Sequence, residues 1–401
     1  MAAVSKSRTV RFLHTADWHL GRPFMGISDP LKRSRVQQER FNSVRRMKRA
    51  IDEFLPEFVV VCGDLFDSPT ATNATVTAGL DAIASLEIPV YVIPGNHDYG
   101  GGGSIWEHRF FQSESRRLAR NLHVLRVREP VEQEHAILLP CPMQRRHETE
   151  DPTAWLRSID YSKLPDKPRI VLAHGSVETF GNSETPDVRT AGQIQPNVIH
   201  LDQLPNAELD YIALGDWHGG FQVSENAFYS GTPEPDRFPK TGQSPGRAIL
   251  ATVGRTKKKP SVEWIDLGLL RWHTGEISVG TDGAASVDRW LTAATEHQGF
   301  DRALVRVVLR GCVTLEGRLE LERVKESWAA RLLRFDVDDQ LSLAPSAAEA
   351  QDLAERPGDP ILASVAAELI ESLGQSKEST AERLVIEEAL AFLHASANDT
   401  Q

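Results

Sequence analysis

The stretch Phe58-Val59-Val60-Val61-Cys62-Gly63-Asp64, with Asp67 three residues further on, decides the fold. Five continuous apolar residues, mostly β-branched, read as a strand covered on both faces, as in the interior of a layered sheet. A glycine and a carboxylate follow at once, where the chain leaves the sheet. Four other apolar runs end in the same way. Val10–His14 leads into Asp17-Trp18-His19, and Val90–Ile93 into Gly95-Asn96-His97-Asp98. Ile170–Ala173 leads into His174-Gly175, and Tyr211–Leu214 into Gly215-Asp216-Trp217-His218. Further strand-like runs lie at Ile137–Leu139, Ala248–Val253 and Val262–Leu267, and helical patterns at 33–55 and 71–86. Apolar strands alternating with amphipathic helices predict an α/β layered domain, in which ligands gather on loops at the carboxyl ends of strands.

All five polar motifs fall at such ends. Together they supply carboxylates, imidazoles and one amide, a ligand set suited to two neighbouring divalent cations that bind a phosphate ester and activate water against it. Two such ions need a bridging oxygen, and Asp64 is the expected bridge, since Gly63 lets the backbone come close. Asp17 and His19 have i, i+2 spacing at a strand end, so both reach one cation. Asn96 offers a neutral oxygen where another anion would repel phosphate. His174, Asp216 and His218 complete the two shells. His97 stands one residue beyond a ligand and is placed to give a proton to a leaving oxygen. Asp67 is expected to orient the Asp64 loop. His14, inside a strand, reads as a hydrogen-bonded core residue. Any one motif alone is an ordinary turn; five in register at strand ends carry the reading.

At 401 residues the chain has room for two or three domains. Its net charge of −11 is unevenly spread: residues 1–55 hold twelve Lys/Arg against five Asp/Glu, so the remainder carries −18. Much of the excess lies in Lys32, Arg33, Arg35, Arg40, Arg45, Arg46, Lys48 and Arg49. Val36, Phe41, Val44, Met47, Ile51 and Phe54 recur through the same segment. This is an amphipathic helix with a cationic outer face, either solvated or set against a phosphate backbone. No run of eighteen apolar residues predicts a membrane span, and the first residues carry no apolar leader. Cys62, Cys141 and Cys312 are far apart and apolar in context, which predicts buried free thiols and a cytoplasmic protein, with no cysteine-based zinc site. Gly100–Gly103 reads as a surface loop in preference to a lid.

The expected domains are 1–267, 268–340 and 341–401. The second is a small α+β accessory domain free of the chemical motifs. The third begins with a linker over 341–360, marked by Arg356-Pro357-Gly358-Asp359-Pro360, and ends in an acidic helical tail. Ile361, Val365, Leu369 and Ile370 form a stripe there, a segment able to dock a partner.

Asp17-x-His19, Gly63-Asp64, Gly95-Asn96-His97-Asp98 and His174 resemble the motifs of the calcineurin-like metallophosphoesterases. More narrowly, Phe12-Leu13-His14-Thr15-Ala16-Asp17-Trp18-His19-Leu20-Gly21, Gly63-Asp64-Leu65-Phe66-Asp67 and Tyr229-Ser230-Gly231-Thr232-Pro233-Glu234-Pro235 look like the SbcD/Mre-type DNA repair nucleases. The resemblance covers roughly residues 8–265, and more loosely 266–340. It implies a four-layer β-sandwich flanked by helices, with a DNA-capping domain and Mn²⁺-dependent cleavage of DNA phosphodiesters. It also implies a coiled-coil ATPase partner of the SbcC/Rad type, and it leaves room for a homodimer. Carried over by position, Asp17, His19, Asp64 and His218 hold one metal. Asp64, Asn96, His174 and Asp216 hold the other, and His97 is catalytic. One position departs: the family pattern Gly-His-x-His reads Gly215-Asp216-Trp217-His218 here. Asp remains a hard ligand, but an added negative charge beside the site puts metal preference and turnover in question. Two other readings stay open: a phosphodiesterase or phosphatase of small esters, and a weakly catalytic subunit kept for binding.

Overall fold

A strand that is apolar on both sides needs a covering layer on each, and Phe58–Cys62 has both, since all five of its residues are buried. The computed structural model describes residues 9–177, 196–238, 244–255, 259–280, 283–296, 299–376 and 381–399. The chain divides into two units, Met1–Leu270 and Arg271–Gln401.

In chain order the first unit contains β1 (Thr9–Thr15), α1 (Pro30–Phe54), β2 (Phe58–Cys62), α2 (Asn73–Ala84), β3 (Val90–Ile93), α3 (Arg109–Leu118) and β4 (Leu122–Val124). There follow β5 (Val131–Glu132), β6 (Ile137–Cys141), β7 (Arg169–His174), β8 (Ser176–Val177), β9 (Val198–Ile199) and β10 (Tyr211–Gly215). The unit closes with β11 (Phe221–Gln222), β12 (Ala227–Tyr229), β13 (Arg247–Gly254) and β14 (Ser261–Asp266). Two six-stranded sheets result, ordered β14-β13-β1-β2-β3-β4 and β11-β12-β10-β7-β6-β5. β1, β2 and β3 run parallel in the first sheet, as do β6, β7 and β10 in the second. The carboxyl ends that bear the motifs are therefore gathered within each sheet.

The alternation of side chains along each strand builds the layers. Val10, Phe12, Phe58 and Val60 of the first sheet pack against Ile170, Leu172, Tyr211 and Ala213 of the second. The opposite sides of the same strands, Leu13, Val59 and Val61, meet Val44 and Met47 of α1 and Leu80 and Ile83 of α2. The sandwich expected from the sequence is present. Among the described residues, the outer face of the second sheet is covered in part by short 3₁₀ turns at Ala154–Ser158 and Leu201–Gln203 and by Leu204 and Leu209.

α1 starts at a capped Asp29, whose carboxylate accepts the N–H groups of Leu31 and Lys32, with Pro30 in the first turn. Its cationic face does not run free. Arg40 is buried, and its guanidinium donates to Trp18 O (2.6 Å), Asp17 O (2.9 Å), Glu234 O (3.1 Å) and Thr232 Oγ1 (3.0 Å). Arg46 pairs with Glu39 and Glu234, Arg45 with Asp81, and Lys48 with Asp52 and Glu87. Half of the eight cations that suggested a phosphate contact thus brace the fold. The glycine loop is split likewise. Gly100 N–H donates to Met143 O (2.7 Å), and a Cβ on Gly101 would come 2.3 Å from Gln144 O, while Gly102 and Gly103 meet nothing within 4 Å.

The second unit contains β15 (Arg271–Val279), α4 (Ala284–Thr295), β16 (Ala303–Val313), α5 (Leu315–Arg331), β17 (Arg334–Leu343), α6 (Ala347–Ala354), α7 (Pro360–Gln375) and α8 (Ala381–Asp399). The strands form one parallel sheet in the order β15-β16-β17, which requires the crossover helices α4 and α5. α8 packs on β16 and β17. The end of β17 and all of α6 occupy much of the stretch expected to be a linker. β17 is an edge strand carrying Asp336 and Asp339, which pair with Arg306, Arg318, Lys325 and Arg334. Those charges hide its strand pattern in the sequence. α6 opens with a Ser346/Glu349 capping box. In α7, Ile361 is 78% exposed and only Ala366 is buried. Among the described residues no helix is long and apolar enough to cross a membrane.

His14 joins the two sheets across the inner core. Its Nε2–H donates to Leu214 O (3.1 Å) and its Nδ1 accepts from Tyr211 OH (3.0 Å). Burial lowers its pKa to about 3, against the pull of the Leu214 carbonyl. The folded state therefore refuses a proton that the unfolded chain accepts below about 6.5. Between those values, acidification favours unfolding by about 1.4 kcal/mol per pH unit from this group. In urea titrations from pH 6 to 4, the wild-type protein should lose stability more steeply than His14→Gln by about that slope. Parallel curves would show that His14 is not held neutral.

Candidate metal centre

The carboxyl ends of β1, β2, β3, β7 and β10 come together where the two sheets meet, and glycines allow the approach. A Cβ on Gly63 would lie 2.2 Å from His174 Nδ1, and one on Gly95 would lie 2.2 Å from Asp64 Oδ1. The loops are joined by their own backbone. Asp17 N–H donates to Gly63 O (3.1 Å) and His19 N–H to Asp64 O (2.9 Å). His97 N–H donates to the Asp64 carboxylate (2.8 Å), and Asp216 N–H to that of Asp17 (3.1 Å). Eight non-glycine residues among those described have positive φ, and four are Asp17 (55°), His19 (42°), Asp64 (54°) and Asp216 (109°). Left-handed backbone at aspartate and histidine costs energy that packing alone does not call for, and such strain concentrates at functional sites.

The predicted side chains converge. Ligand atoms of Asp17, His19 and His218 lie within 4.8 Å of one another, and so do those of Asp17, Asp64 and His174. Asp64 Oδ2 stands between the groups, 3.5 Å from His19 Nε2 and 3.6 Å from His174 Nε2. Asn96 Oδ1 is 3.1 Å from His174 Nε2. Asp216 sits at the margin: its Oδ1 is 3.9 Å from His174 Nε2, and its Oδ2 accepts from Ser176 Oγ (2.6 Å).

Three of the four imidazoles are hydrogen-bonded through Nδ1, and the fourth, His19, has a carboxylate at ion-pair distance from its Nδ1. His174 Nδ1–H donates to Cys62 O (2.8 Å), and His97 Nδ1–H donates to Asp67 O (2.8 Å). His218 Nδ1 faces Asp236 Oδ1 (2.9 Å), and His19 Nδ1 faces Asp67 Oδ1 (3.1 Å). The Asp67 carboxylate thus serves His19 and not its own loop. With Nδ1 protonated, each Nε2 turns a lone pair into the site, and that of His218 also lies 3.0 Å from Arg237 Nη2. His174 Nε2 then confronts the Asn96 oxygen, and His19 and His218 bring their Nε2 atoms within 3.2 Å. Lone pairs facing at such distances need a proton or a cation between them.

Electrostatics points the same way. Burial, with added repulsion from neighbouring carboxylates, pushes Asp17 and Asp64 well above the usual carboxylate range. Burial pushes His19 well down and lowers His218. Each group shifts toward its uncharged form. Hard oxygens, one amide and neutral imidazoles fit a divalent first-row ion.

Sequence reasoning missed Asp236, Arg22 and Arg40. Asp236 stands eighteen residues from His218, with no spacing rule to tie them. The backing role of the Tyr229–Pro235 loop emerges only from the tertiary structure.

Residues 10–220 match the family model of calcineurin-like phosphoesterases, a span that contains all five motifs. The chain belongs to this family. The family is one of phosphoester hydrolases that use divalent metal ions. It is similar to the SbcD component of the nuclease SbcCD of Staphylococcus epidermidis, 23% identical over 260 residues, covering 60% of this chain and 66% of that protein. It is also similar to the uncharacterized metallophosphoesterase YhaO of Bacillus subtilis, 34% identical over 132 residues, covering 27% and 31%. The chain thus spans less than two thirds of the length of either relative. Among solved structures, TT1561 of Thermus thermophilus aligns over 65% of this chain and 100% of its own at 10% identity, with a TM-score of 0.39.

Raised carboxyl pKa values mean that the metal-free protein gains stability from retaining these protons at low pH. That gain is lost as pH rises through the folded-state values. A cation competes for the same oxygens, so its stabilisation should grow with pH. The rise in Tm on adding Mn²⁺ to chelator-treated protein should therefore be larger at pH 8 than at pH 5. An equal or smaller rise at pH 8 would contradict this picture.

Proposed function

We propose that this phosphoesterase is a two-metal DNA nuclease. The observation that carries the reading is the position of Asp64 Oδ2, nearly equidistant from His19 and His174, where one carboxylate can serve two ions. Asp17, His19, Asp64 and His218 are assigned to one ion, and Asp64, Asn96, His174 and Asp216 to the other, with Mn²⁺ as the expected metal. Two such ions neutralise charge on a phosphodiester and acidify the attacking water. Similarity to a nuclease component over 60% of the chain supports DNA as substrate. From the motif resemblance, the second unit is assigned to DNA capping and its helical tail to a coiled-coil ATPase of the SbcC type; the buried free thiols assign the setting to the cytoplasm.

His97 is assigned the proton transfer. Its Nδ1 is committed to Asp67 O, which leaves Nε2 to carry a proton to the departing sugar oxygen. Asn96 adds a ligand oxygen without adding charge. A second reading, a phosphodiesterase of small esters or a weakly catalytic subunit, is favoured by Asp216. Its carboxylate adds negative charge near His174, which works against a polyanion.

With Mn²⁺, the protein should cleave both linear DNA and bis-p-nitrophenyl phosphate; activity on the small ester alone overturns the nuclease reading. His97→Gln should lower kcat on DNA by about 10²–10⁴-fold. It should lose far less on the p-nitrophenyl ester, whose leaving group departs without a proton. Equal losses on both substrates would remove His97 from the acid role. A gain of orders of magnitude in Asp216→His would favour the weakly catalytic reading.

A further inference from the structure

Behind His19 and His218 lies a set of charged groups that the proposed ligand shells do not use. Asp236 is buried, and its Oδ1 is the partner of His218 Nδ1 (2.9 Å). Its Oδ2 lies 3.0 Å from Arg22 Nη1. The same Arg22 nitrogen is 3.6 Å from Asp67 Oδ1, which faces His19 Nδ1 at 3.1 Å. Two histidines with converging Nε2 atoms are thus each backed by a carboxylate, and one guanidinium stands between the two carboxylates.

We infer that Asp236 and Arg22 are positioning residues that hold His218 and His19 as a matched pair for one metal ion. The inference rests on the assignment of those two histidines to an ion.

A carboxylate accepting from Nδ1–H fixes the tautomer and the ring plane and makes Nε2 a better donor to a cation. Two buried carboxylates side by side would repel each other, and Arg22 offsets that repulsion. The contacts of Asp236 Oδ2 and His19 Nδ1 are at ion-pair distance without hydrogen-bond alignment, so the frame is held by charge and packing. Burial opposes ionisation of Asp236, yet His218, Arg40 and Arg237 together keep it well below the usual carboxylate range. Arg237 approaches the His218 ring from its exposed side and also reaches Asp236 Oδ1 (3.2 Å).

A second link ties the same loops from behind. Arg40 joins the carbonyls of Asp17 and Trp18 to Thr232 and to Glu234 O. The segment Thr232–Asp236 therefore forms the rear wall of the site, which gives a role to a motif otherwise known only by resemblance.

Calorimetric titration of the full-length protein with Mn²⁺ tests the inference, with Co²⁺ absorption as a second readout. Wild type should bind two ions. Asp236→Ala should weaken one of them by about 10–100-fold, change the Co²⁺ spectrum, and leave the other within about twofold. Asp236→Asn keeps an acceptor oxygen and should recover most of the lost affinity. Arg22→Met should weaken the same ion by severalfold. Wild-type affinity for both ions in Asp236→Ala would overturn the inference, as would equal weakening of both. If Asp236→Ala does not fold, Arg22→Met decides, and parity with wild type overturns the inference. A wild-type protein that binds no ion would instead remove the underlying assignment.

Discussion

Four imidazoles, each with an oxygen behind Nδ1 and each turned inward through Nε2, set the character of this molecule. The groups behind them are a backbone carbonyl of β2, the backbone carbonyl and the Oδ1 atom of Asp67, and the carboxylate of Asp236. Buried carboxylates between them are pushed toward protonation by their surroundings. Such a cluster is unstable as a collection of charges; under the proposed assignment, cations bound among these groups would stabilise it. The left-handed backbone at Asp17, His19, Asp64 and Asp216, and the glycines that let the loops touch, are local costs of assembling it.

The sandwich supplies the rigidity. Inner-face residues of the two sheets interlock, and His14 bridges them with a polar contact fixed in one tautomer. α1 contributes through a buried guanidinium instead of a basic surface. Arg40 reaches two loops from opposite ends of the first unit's sequence and so ties the helix to the Asp17 loop and to the Thr232–Glu234 segment. Of the eight α1-segment cations, Arg40 is buried and three more pair with carboxylates of the same unit.

Much of this was legible in the sequence because period-two and continuous apolar patterns report burial directly. Phe58–Cys62 and Val90–Ile93 match their strands to the residue, and α1 and α2 fall within a few residues of their helical patterns. Carboxylates and imidazoles at strand ends were readable because topology forces parallel strand ends together. What was not legible depends on long-range partners. Arg40 looks like any surface cation until its carbonyl acceptors are known. Asp236 gains meaning only beside His218. β17 hides behind aspartates that are neutralised by other strands and helices.

The central claim, that these loops enclose a dinuclear centre bridged by Asp64, is tested most directly by anomalous diffraction from crystals grown with Mn²⁺. Two peaks about 3.5–4 Å apart, one beside His19 and His218 and one beside Asn96 and His174, are predicted. A single peak, or manganese bound away from Asp64, would contradict the account.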